Sequence, residues 1–264
     1  MLHRNGELTS SPQGHETLDT LIDGKLRILQ SRAGYRFSLD ALLLAHFITI
    51  KRREKIVDLG TGNGVIPLVL AYLHPSATVT GVELQTAMVE RARRNVELNE
   101  RERQIRIIGG DVRAVKQLGA AASFDVVVCN PPYRKPGSGR VSANDEKQIA
   151  RHEMAGNLVD FLCAGSFLLR TKGRLSIVYP AVRFIDLLAA MRQARIEPKR
   201  LRMVHSRPKV EASLVLAEGI KGGKSGLEVS APLMIYRRGK QYTGEVASMI
   251  AGSNKPVSGF ESQV

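Results

Sequence analysis

A glycine-rich turn joins a short β-branched run to an apolar helical run. Residues 58–64 read DLGTGNG, between KIV and VIPLVLAYL. Gly60, Gly62 and Gly64 let the backbone turn sharply and let a ligand approach it closely. Their G-x-G-x-G spacing departs from the G-x-G-x-x-G of dinucleotide-binding proteins. The carboxylate of Asp58 repels a pyrophosphate but accepts a bond from an ammonium group.

Two more carboxylates end the next two predicted strands. Glu83 closes VTGVEL, just over twenty residues beyond the glycines, where an acidic residue suits a ribose diol. Asp111 follows IRIIGG and suits an adenine amino group, with the Val112 amide as a neighbouring donor. Together with Asp58 they favour a ligand that has an amino group, a ribose and an adenine but no phosphate. S-adenosylmethionine fits that description, whereas one such Asp alone is better explained as a helix cap.

The motif NPPY (residues 130–133) follows the apolar run FDVVVC. Asn130 offers a side-chain oxygen and Pro131 a carbonyl oxygen, and the two prolines fix the backbone between them. Two such acceptors can take both hydrogens of a planar NH₂ group and turn its lone pair toward an electrophile. Tyr133 offers a face on which a planar base or amide stacks. The motif therefore indicates chemistry at an exocyclic or amide nitrogen.

Apolar strands alternate with amphipathic helices from residue 55 onward, which predicts an α/β fold with a doubly wound, mostly parallel sheet. RLRMVHS, ASLVLAEGI and APLMIYRR have no helix between them, so the last strands are expected to pair antiparallel as hairpins at one edge. We expect flexible tails at 1–17 and 251–264 around a single domain, 18–250. That domain divides into an N-terminal extension (18–54) and the core with its antiparallel edge (55–250).

The 264 residues carry a formal net charge of +14, with 39 Lys and Arg against 25 Asp and Glu. A surplus of this size on a globular composition favours a polyanionic partner. Cys129 and Cys163 rule out a disulfide framework and are expected to be reduced core thiols. No apolar run has the length of a membrane span, and neither a signal peptide nor a metal site is expected.

These motifs resemble those of the class I S-adenosylmethionine-dependent N-methyltransferases, which implies a seven-stranded Rossmann-like sheet. Their NPPY relatives methylate DNA adenine, release-factor glutamine, or RNA adenine and guanine. GYRFSLDALLLAHF (34–47) and IARHE (149–153) are similar to the tRNA adenine-N6 methyltransferases that act next to the anticodon of a valine tRNA. That similarity implies that Asp40 lines the methionine end of the cofactor and that Asn130 and Tyr133 hold the adenine. We assign no catalysis to His152, for which a structural or RNA-facing role is at least as well supported.

Half of the positive surplus lies in the C-terminal third, where 14 Lys and Arg from residue 181 onward face 7 Asp and Glu. The loop after Tyr133 adds cations, and its approach to RNA is implied by the resemblance. The residues expected to bind RNA are Arg134, Lys135, Arg140, Arg151, Lys199, Arg200, Arg202, Arg207 and Lys209. The clusters at 51–55 and 91–103 are interpreted instead as solvated helix faces or turns.

The leading hypothesis is a cytoplasmic enzyme that methylates N6 of adenine-37 in a tRNA with S-adenosylmethionine. A protein glutamine methyltransferase uses the same NPPY motif, but it has no evident need for the basic C-terminal third. Other RNA or DNA amino-methyltransferases form a further alternative. A cofactor- and RNA-binding protein without catalysis is disfavoured by the intact Asn130 and Pro131. The oligomeric state is left open.

Overall fold

The computed structural model describes residues 12–32, 39–132 and 156–253. The described chain begins with an antiparallel hairpin of β1 (Glu16–Leu21) and β2 (Leu26–Ser31), followed by the helix α1 (Leu39–Phe47). Glu16 and Thr17 therefore belong to a strand, and the predicted tail 1–17 extends too far. The Glu16 side chain is only 2% exposed because two arginines distant in sequence bind its carboxylate.

One large sheet forms the centre of the fold. Its strands are β3 (Lys55–Leu59), β4 (Thr78–Glu83), β5 (Ile105–Gly109), β6 (Phe124–Cys129), β7 (Leu169–Pro180), β8 (Ile196–His205), β9 (Ala212–Lys221), β10 (Glu228–Val229) and β11 (Leu233–Met234). They lie in the order β10-β8-β9-β7-β6-β3-β4-β5, and β11 also pairs with β8. The run from β7 to β5 is parallel, whereas β9 pairs antiparallel with both β7 and β8. The mostly parallel α/β prediction is confirmed.

Helices cover both faces of the sheet, as a parallel sheet requires. After α1 they are α2 (Val65–Leu73), α3 (Thr86–Leu98), α4 (Leu158–Leu168), α5 (Phe184–Gln193) and α6 (Gly244–Ile250). One apolar core contains α1, α2 and α3, and the other contains α4 and α5. The helix α6 is absent from the sequence prediction; Thr243 caps it by accepting a hydrogen bond from the Val246 amide.

The C-terminal edge differs in part from the sequence prediction. The strands β8 and β9 pair antiparallel as expected, but β10 and β11 pair parallel with β8. The reason is that β9 ends beside the start of β8, with Lys221 opposite Ile196, so the chain then runs along β8 in the same direction. APLMIYRR also divides at Ile235. Its second half, β12 (Tyr236–Arg238), forms a separate antiparallel hairpin with β13 (Gln241–Tyr242).

The predicted tail 251–264 also begins too early. Residues 251–253 complete the end of α6, since the Gly252 amide donates to Met249 and the Ser253 amide to Ser248. Gly252 packs so closely on Ile22 that an added Cβ would lie 2.1 Å from the Ile22 Cγ2 atom. The last described turn is therefore fixed against the N-terminal hairpin.

Candidate active site

Parallel strands place their carboxyl ends along one edge of a sheet, where ligands of open α/β folds bind. In the register observed, Leu59 at the end of β3 lies opposite both Val82 of β4 and Cys129 of β6. Glu83 in turn lies opposite Gly109 of β5. Four residues singled out from the sequence therefore stand at or just beyond this edge: Gly60, Glu83, Asp111 and Asn130. We refer to it as the carboxyl edge.

The glycine loop (residues 58–64) is shaped by backbone conformations that only glycine adopts without strain. Its three glycines have φ angles of 74°, 55° and 80°. The amides of Gly60 and Thr61 both donate to the Val82 carbonyl at 2.9 Å, which fastens the loop to β4. Phe161 of α4 supports the loop from behind: a Cβ added at Gly60 would lie 3.1 Å from the Phe161 ring.

Asp58 is a buried carboxylate at the base of the glycine loop. Its exposure is 0%, and neither carboxylate oxygen accepts a hydrogen bond from any residue in the described ranges. Burial raises the pKa of Asp58 to about 7. The nearby Thr61 hydroxyl acts against this rise in pKa, and the negative charge of Glu83 adds to it. A buried carboxylate without a partner is costly. This site therefore suits a ligand that brings a cation, such as an ammonium group.

The other two strand-end carboxylates have partners within the chain. Glu83 accepts hydrogen bonds from the amides of Gly62 and Gln85, each at 2.9 Å, and keeps further lone pairs for a ligand. Asp111 accepts a bond from the Arg113 amide at 2.8 Å and binds the Arg113 guanidinium at 2.6 Å. That guanidinium holds the pKa of the Asp111 carboxyl below its usual range. The helix-cap interpretation of Asp111 is thus realised, and its contact with an adenine stays a prediction.

Asn130 and Pro131 directly follow β6, beside the glycine loop. Asn130 is half-buried and Pro131 is buried. Among the residues that the structure describes, none forms a hydrogen bond with the side-chain amide of Asn130. An amide oxygen and a neighbouring carbonyl held on a proline-stiffened backbone are suited to accept hydrogens from an NH₂ group.

Family comparison agrees with this arrangement. A family model described as "Methyltransferase small domain" matches residues 38–194, which are more than half of the chain and include every residue of the site discussed so far. The chain belongs to the methyltransferase small domain family. Family membership and the unpartnered carboxylate of Asp58 support S-adenosylmethionine as the cofactor. The residues at the ends of β3, β4 and β5 fit that cofactor, since they offer carboxylates and backbone amides.

Curated relatives of this methyltransferase small domain protein include two named tRNA1(Val) (adenine(37)-N6)-methyltransferase. The one from Porphyromonas gingivalis (strain ATCC 33277) is 34% identical over 167 residues, which cover 62% of this chain and 65% of that protein. The one from Histophilus somni (strain 2336) is 26% identical over 237 residues, which cover 85% of this chain and 92% of that protein. The chain thus spans slightly less than two thirds of the length of the first.

A solved structure from Agrobacterium tumefaciens, described as that of a predicted O-methyltransferase, has the same fold. It superposes with a TM-score of 0.67 at 27% sequence identity, and the match covers 81% of this chain and 96% of that chain. The fold expected from the sequence is confirmed by this likeness.

Sequence reasoning missed a buried polar network that supports the glycine loop of this methyltransferase small domain. Asn95 of α3 is 0% exposed and donates to the Asn63 carbonyl at 2.9 Å and to the Leu29 carbonyl at 3.1 Å. The Leu29 amide donates back to the Asn95 side-chain oxygen at 2.7 Å. The N-terminal hairpin and the loop thus share one amide side chain.

Arginines of α3 complete this network. Arg91 is 7% exposed, binds Glu16 at 2.8 Å and donates to the Asn63 side chain at 3.4 Å. Arg94 binds the same carboxylate at 2.9 Å. The interpretation of residues 91–103 as a solvated face is therefore wrong at Arg91. Its partner lies 75 residues away in sequence, so only an unexpected acidic residue in the supposed tail could have signalled the pair.

The described residues of the predicted RNA-binding set divide between opposite edges of the sheet. Since β9 runs antiparallel to β7 and β8 antiparallel to β9, the end of β8 lies at the carboxyl edge, with His205 opposite Ala212. Arg207 and Lys209 follow it and are exposed there. Lys199 lies near the start of β8, toward the opposite ends of the strands. At ~3.3 Å per residue its distance from His205 is about 20 Å. The structure does not bring Lys199 together with Asn130.

Arg200 and Arg202 have partners within the chain, and their contact with RNA stays a prediction. The Arg200 guanidinium stacks on the Phe47 ring at 4.1 Å, bonds to the Phe47 carbonyl and lies 3.6 Å from the Glu218 carboxylate. Arg202 makes two bonds to the Glu245 carboxylate, at 2.5 Å and 2.8 Å. The sequence pattern of β8 does not show whether these two arginines are paired within the chain or face solvent.

The remaining residues singled out from the sequence lie at various positions in the fold or outside the described ranges. Asp40 lies in the first turn of α1, which packs against α2 behind the glycine loop, and the Val112 side chain is buried. Cys129 is buried as expected, whereas Cys163 is exposed and is not a core thiol. Outside the described residues lie Tyr133, Arg134, Lys135, Arg140, Arg151 and His152.

None of the helices in the described ranges combines the length and the apolar character that a membrane crossing requires. Within the same ranges, no group of three or more His, Cys, Asp or Glu side chains could hold a metal ion.

Proposed function

We propose that this protein transfers a methyl group from S-adenosylmethionine to N6 of adenine-37 in a valine tRNA. The observation that carries the proposal is the pair of acceptors at Asn130 and Pro131, beside a glycine loop whose buried Asp58 lacks a partner. The names of the Porphyromonas and Histophilus relatives support adenine as the target. A tRNA substrate also agrees with the net charge of +14, and it implies a cytoplasmic location.

Residues of the carboxyl edge would hold the cofactor by its polar groups. Asp58 accepts from the ammonium group, Glu83 from the ribose hydroxyls and Asp111 from the adenine amine, while the glycine loop lets the ligand approach the backbone. When bound there, S-adenosylmethionine supplies an electrophilic methyl group. The bonds from Gly62 and Gln85 hold the Glu83 carboxylate in a fixed direction, so little reorganisation is needed on binding.

Asn130 and Pro131 act on the target base. The Asn130 side-chain oxygen and the Pro131 carbonyl accept the two hydrogens of the exocyclic amine, which withdraws its lone pair from the ring and directs it outward. No strong base is needed before transfer, because the displaced proton leaves to solvent afterwards. A base in an RNA loop reaches such a site at lower cost than one in a duplex, since it starts unpaired.

Methyl transfer to an unmodified valine tRNA transcript tests this function directly. The labelled product, digested to nucleosides, is expected to be N6-methyladenosine, and a transcript with guanine at position 37 is expected to take no label. Asn130→Ala should lower the rate about 10²–10³-fold, as for removal of a positioned polar group from a reaction centre, while S-adenosylhomocysteine binds as before. Gln193→Ala, an exposed amide on α5, is the control and should change nothing.

Other outcomes would refute the proposal. Label on a release-factor glutamine, with none on RNA, would assign the protein alternative. Label on guanine-37, or on another adenine of the transcript, would place the target elsewhere. Binding of cofactor and RNA with no transfer in the wild type would support a protein without catalysis.

A further inference from the structure

The hairpin of β12 and β13 carries an unusual concentration of positive charge. Residues 236–242 read YRRGKQY, and we call this segment the basic hairpin. Arg237, Arg238 and Lys240 are all exposed. In the part of the chain that the structure describes, none of the three takes part in an ion pair, unlike Arg200 and Arg202. Their charges are thus available to a partner.

An aromatic surface accompanies these charges. Tyr236 and Tyr242 lie opposite each other across the hairpin, and their rings stack with centroids 5.2 Å apart at an angle of 19°. Tyr242 is 40% exposed, so part of its side chain is accessible to solvent. Cations beside an exposed aromatic face are the combination with which proteins bind single-stranded nucleic acid, the cations at phosphates and the ring against a base.

The basic hairpin lies at the same edge of the sheet as Asn130. The strand β11 pairs with the last two residues of β8, and the Tyr236 amide then donates to the Ser206 carbonyl at 2.9 Å. Arg207 bonds to the carbonyl of Gly239 in the hairpin turn at 3.0 Å. Along the carboxyl edge, β7 and β9 separate β8 from β6. The strand β11, from which the hairpin continues, pairs on the outer side of β8. Four strand spacings therefore separate it from β6, about 19 Å at ~4.8 Å each, a distance that a few nucleotides span.

The hairpin is also held firmly in place. The Thr243 amide donates to the Ile235 carbonyl at 3.0 Å, and the Thr243 hydroxyl donates to the Met234 carbonyl at 2.7 Å. Arg202 of β8 binds Glu245 in the first turn of α6, directly after the hairpin. Arg202 therefore helps to fix the position of the basic hairpin by binding the helix that follows it. That pairing also neutralises Glu245, which would otherwise oppose the hairpin charges.

We propose that the basic hairpin, together with Arg207 and Lys209, is a docking site for RNA. Its cations bind the phosphates of the strand that presents a base to Asn130, and Tyr242 stacks on an unpaired base of that strand. The one acidic residue in the loop from 206 to 211, Glu211, does not offset the five cations of the site. The choice of RNA as partner rests on the proposed function; the location of the site rests on the charges, the stacked tyrosines and the strand order.

A charge-matched pair of triple variants tests the location. Arg237, Arg238 and Lys240 are changed together to Gln in one protein; Arg195, Lys199 and Lys224, which lie at the opposite edge, are changed to Gln in the other. Binding of a fluorescent valine tRNA transcript is measured by anisotropy between 50 and 200 mM salt. We expect the hairpin variant to bind roughly tenfold or more weakly and to lose about two to three from the slope of log Kd against log salt. The opposite-edge variant should lose less than one.

The aromatic contribution is tested separately with Tyr242→Ala and Tyr242→Phe. We expect Tyr242→Ala to weaken binding roughly tenfold with little change in the salt slope, because stacking involves no counterion release. Tyr242→Phe should bind like the wild type, since the ring face is retained. Thermal melts and S-adenosylhomocysteine affinities of all variants should equal those of the wild type, which separates lost docking from lost folding.

The outcomes distinguish this inference from the proposed function. If the wild type methylates the transcript but the hairpin variant binds with unchanged affinity and salt slope, the docking site is refuted and the activity stands. If the wild type binds RNA through the hairpin but transfers no methyl group, the docking site stands and the activity is refuted. If the two triple variants lose equal affinity, or the wild type binds no RNA, the docking site is refuted.

Discussion

The strongest single prediction concerns Asp58, whose buried carboxylate has no partner among the described residues. Its pKa in the folded chain is about 7, against an ordinary value of 3.8. Between about pH 4 and pH 7 the unfolded chain has therefore released this proton while the folded chain retains it. Stability contributed by the group is fully present at low pH and falls as the pH rises through that window.

The change Asp58→Asn removes the ionisable group, and with it the loss of folding stability at higher pH. At 1.36 kcal/mol for each tenfold change in proton affinity, the full penalty is about 4 kcal/mol above pH 7, of which about 3 kcal/mol develops between pH 5 and pH 8. We expect the stability of the variant relative to the wild type to be about 3 kcal/mol greater at pH 8 than at pH 5. Urea unfolding of the free protein at the two pH values measures it, with the exposed Asp23→Asn as control.

The affinity of the wild type for a ligand with an ammonium group should rise with pH, whereas its stability falls. S-adenosylhomocysteine carries an ammonium group, so it is expected to bind the wild type more tightly at pH 8 than at pH 5 and to bind Asp58→Asn at least tenfold more weakly at pH 8. Methylthioadenosine lacks that group and should show neither effect. The reasoning is refuted if the stability difference between variant and wild type is the same at both pH values, or if the two ligands respond alike.

Two further predictions concern the support of the glycine loop. Glu16→Gln leaves the buried Arg91 without a charged partner and should lower the free energy of unfolding by about 3 kcal/mol. The control is Glu90→Gln, exposed on the same helix as Arg91, which should change this free energy by less than about 0.5 kcal/mol. Equal effects of the two variants in urea unfolding would contradict the role of the buried pair. Gly60→Ala should cost about 2 kcal/mol, because φ is 74° and Phe161 lies 3.1 Å from the new Cβ, and cofactor affinity should fall with it. Gly244→Ala, where an added Cβ meets nothing within 4 Å, is the control, and a Gly60→Ala protein as stable as that control would show that the loop adapts.

The sheet and the carboxyl edge were predictable because both follow from local patterns. Alternating apolar strands and helices require a parallel sheet, and a parallel sheet brings Asp58, Glu83 and Asn130 to one edge whatever the details of packing. The partners of the arginines were not predictable. Arg91 and Glu16 are 75 residues apart, and Arg202 and Glu245 are 43 apart, so no local pattern distinguishes these cations from solvated ones.

Strand direction at the C-terminal edge shows a similar limit. A run such as APLMIYRR indicates extended structure, but its direction depends on where the preceding strand ends, and that end is set by the register of β9 on β8. The Gly-Lys pair that follows this run was a usable signal that its end turns into a hairpin, because glycine favours the positive φ of 52° found at Gly239.

The short strands beside β8 also bear on how copies of the chain behave in solution. An edge strand with free backbone amides is a template on which another molecule can extend the sheet. Here the outer side of β8 is occupied in pieces, at Arg200 and Leu201 by β10 and at Val204 and His205 by β11, while the Arg202 side chain holds the Ala231 carbonyl between them. A ten-residue edge is thereby reduced to two-residue fragments, which favours a protein that resists edge-to-edge aggregation during synthesis and at high concentration.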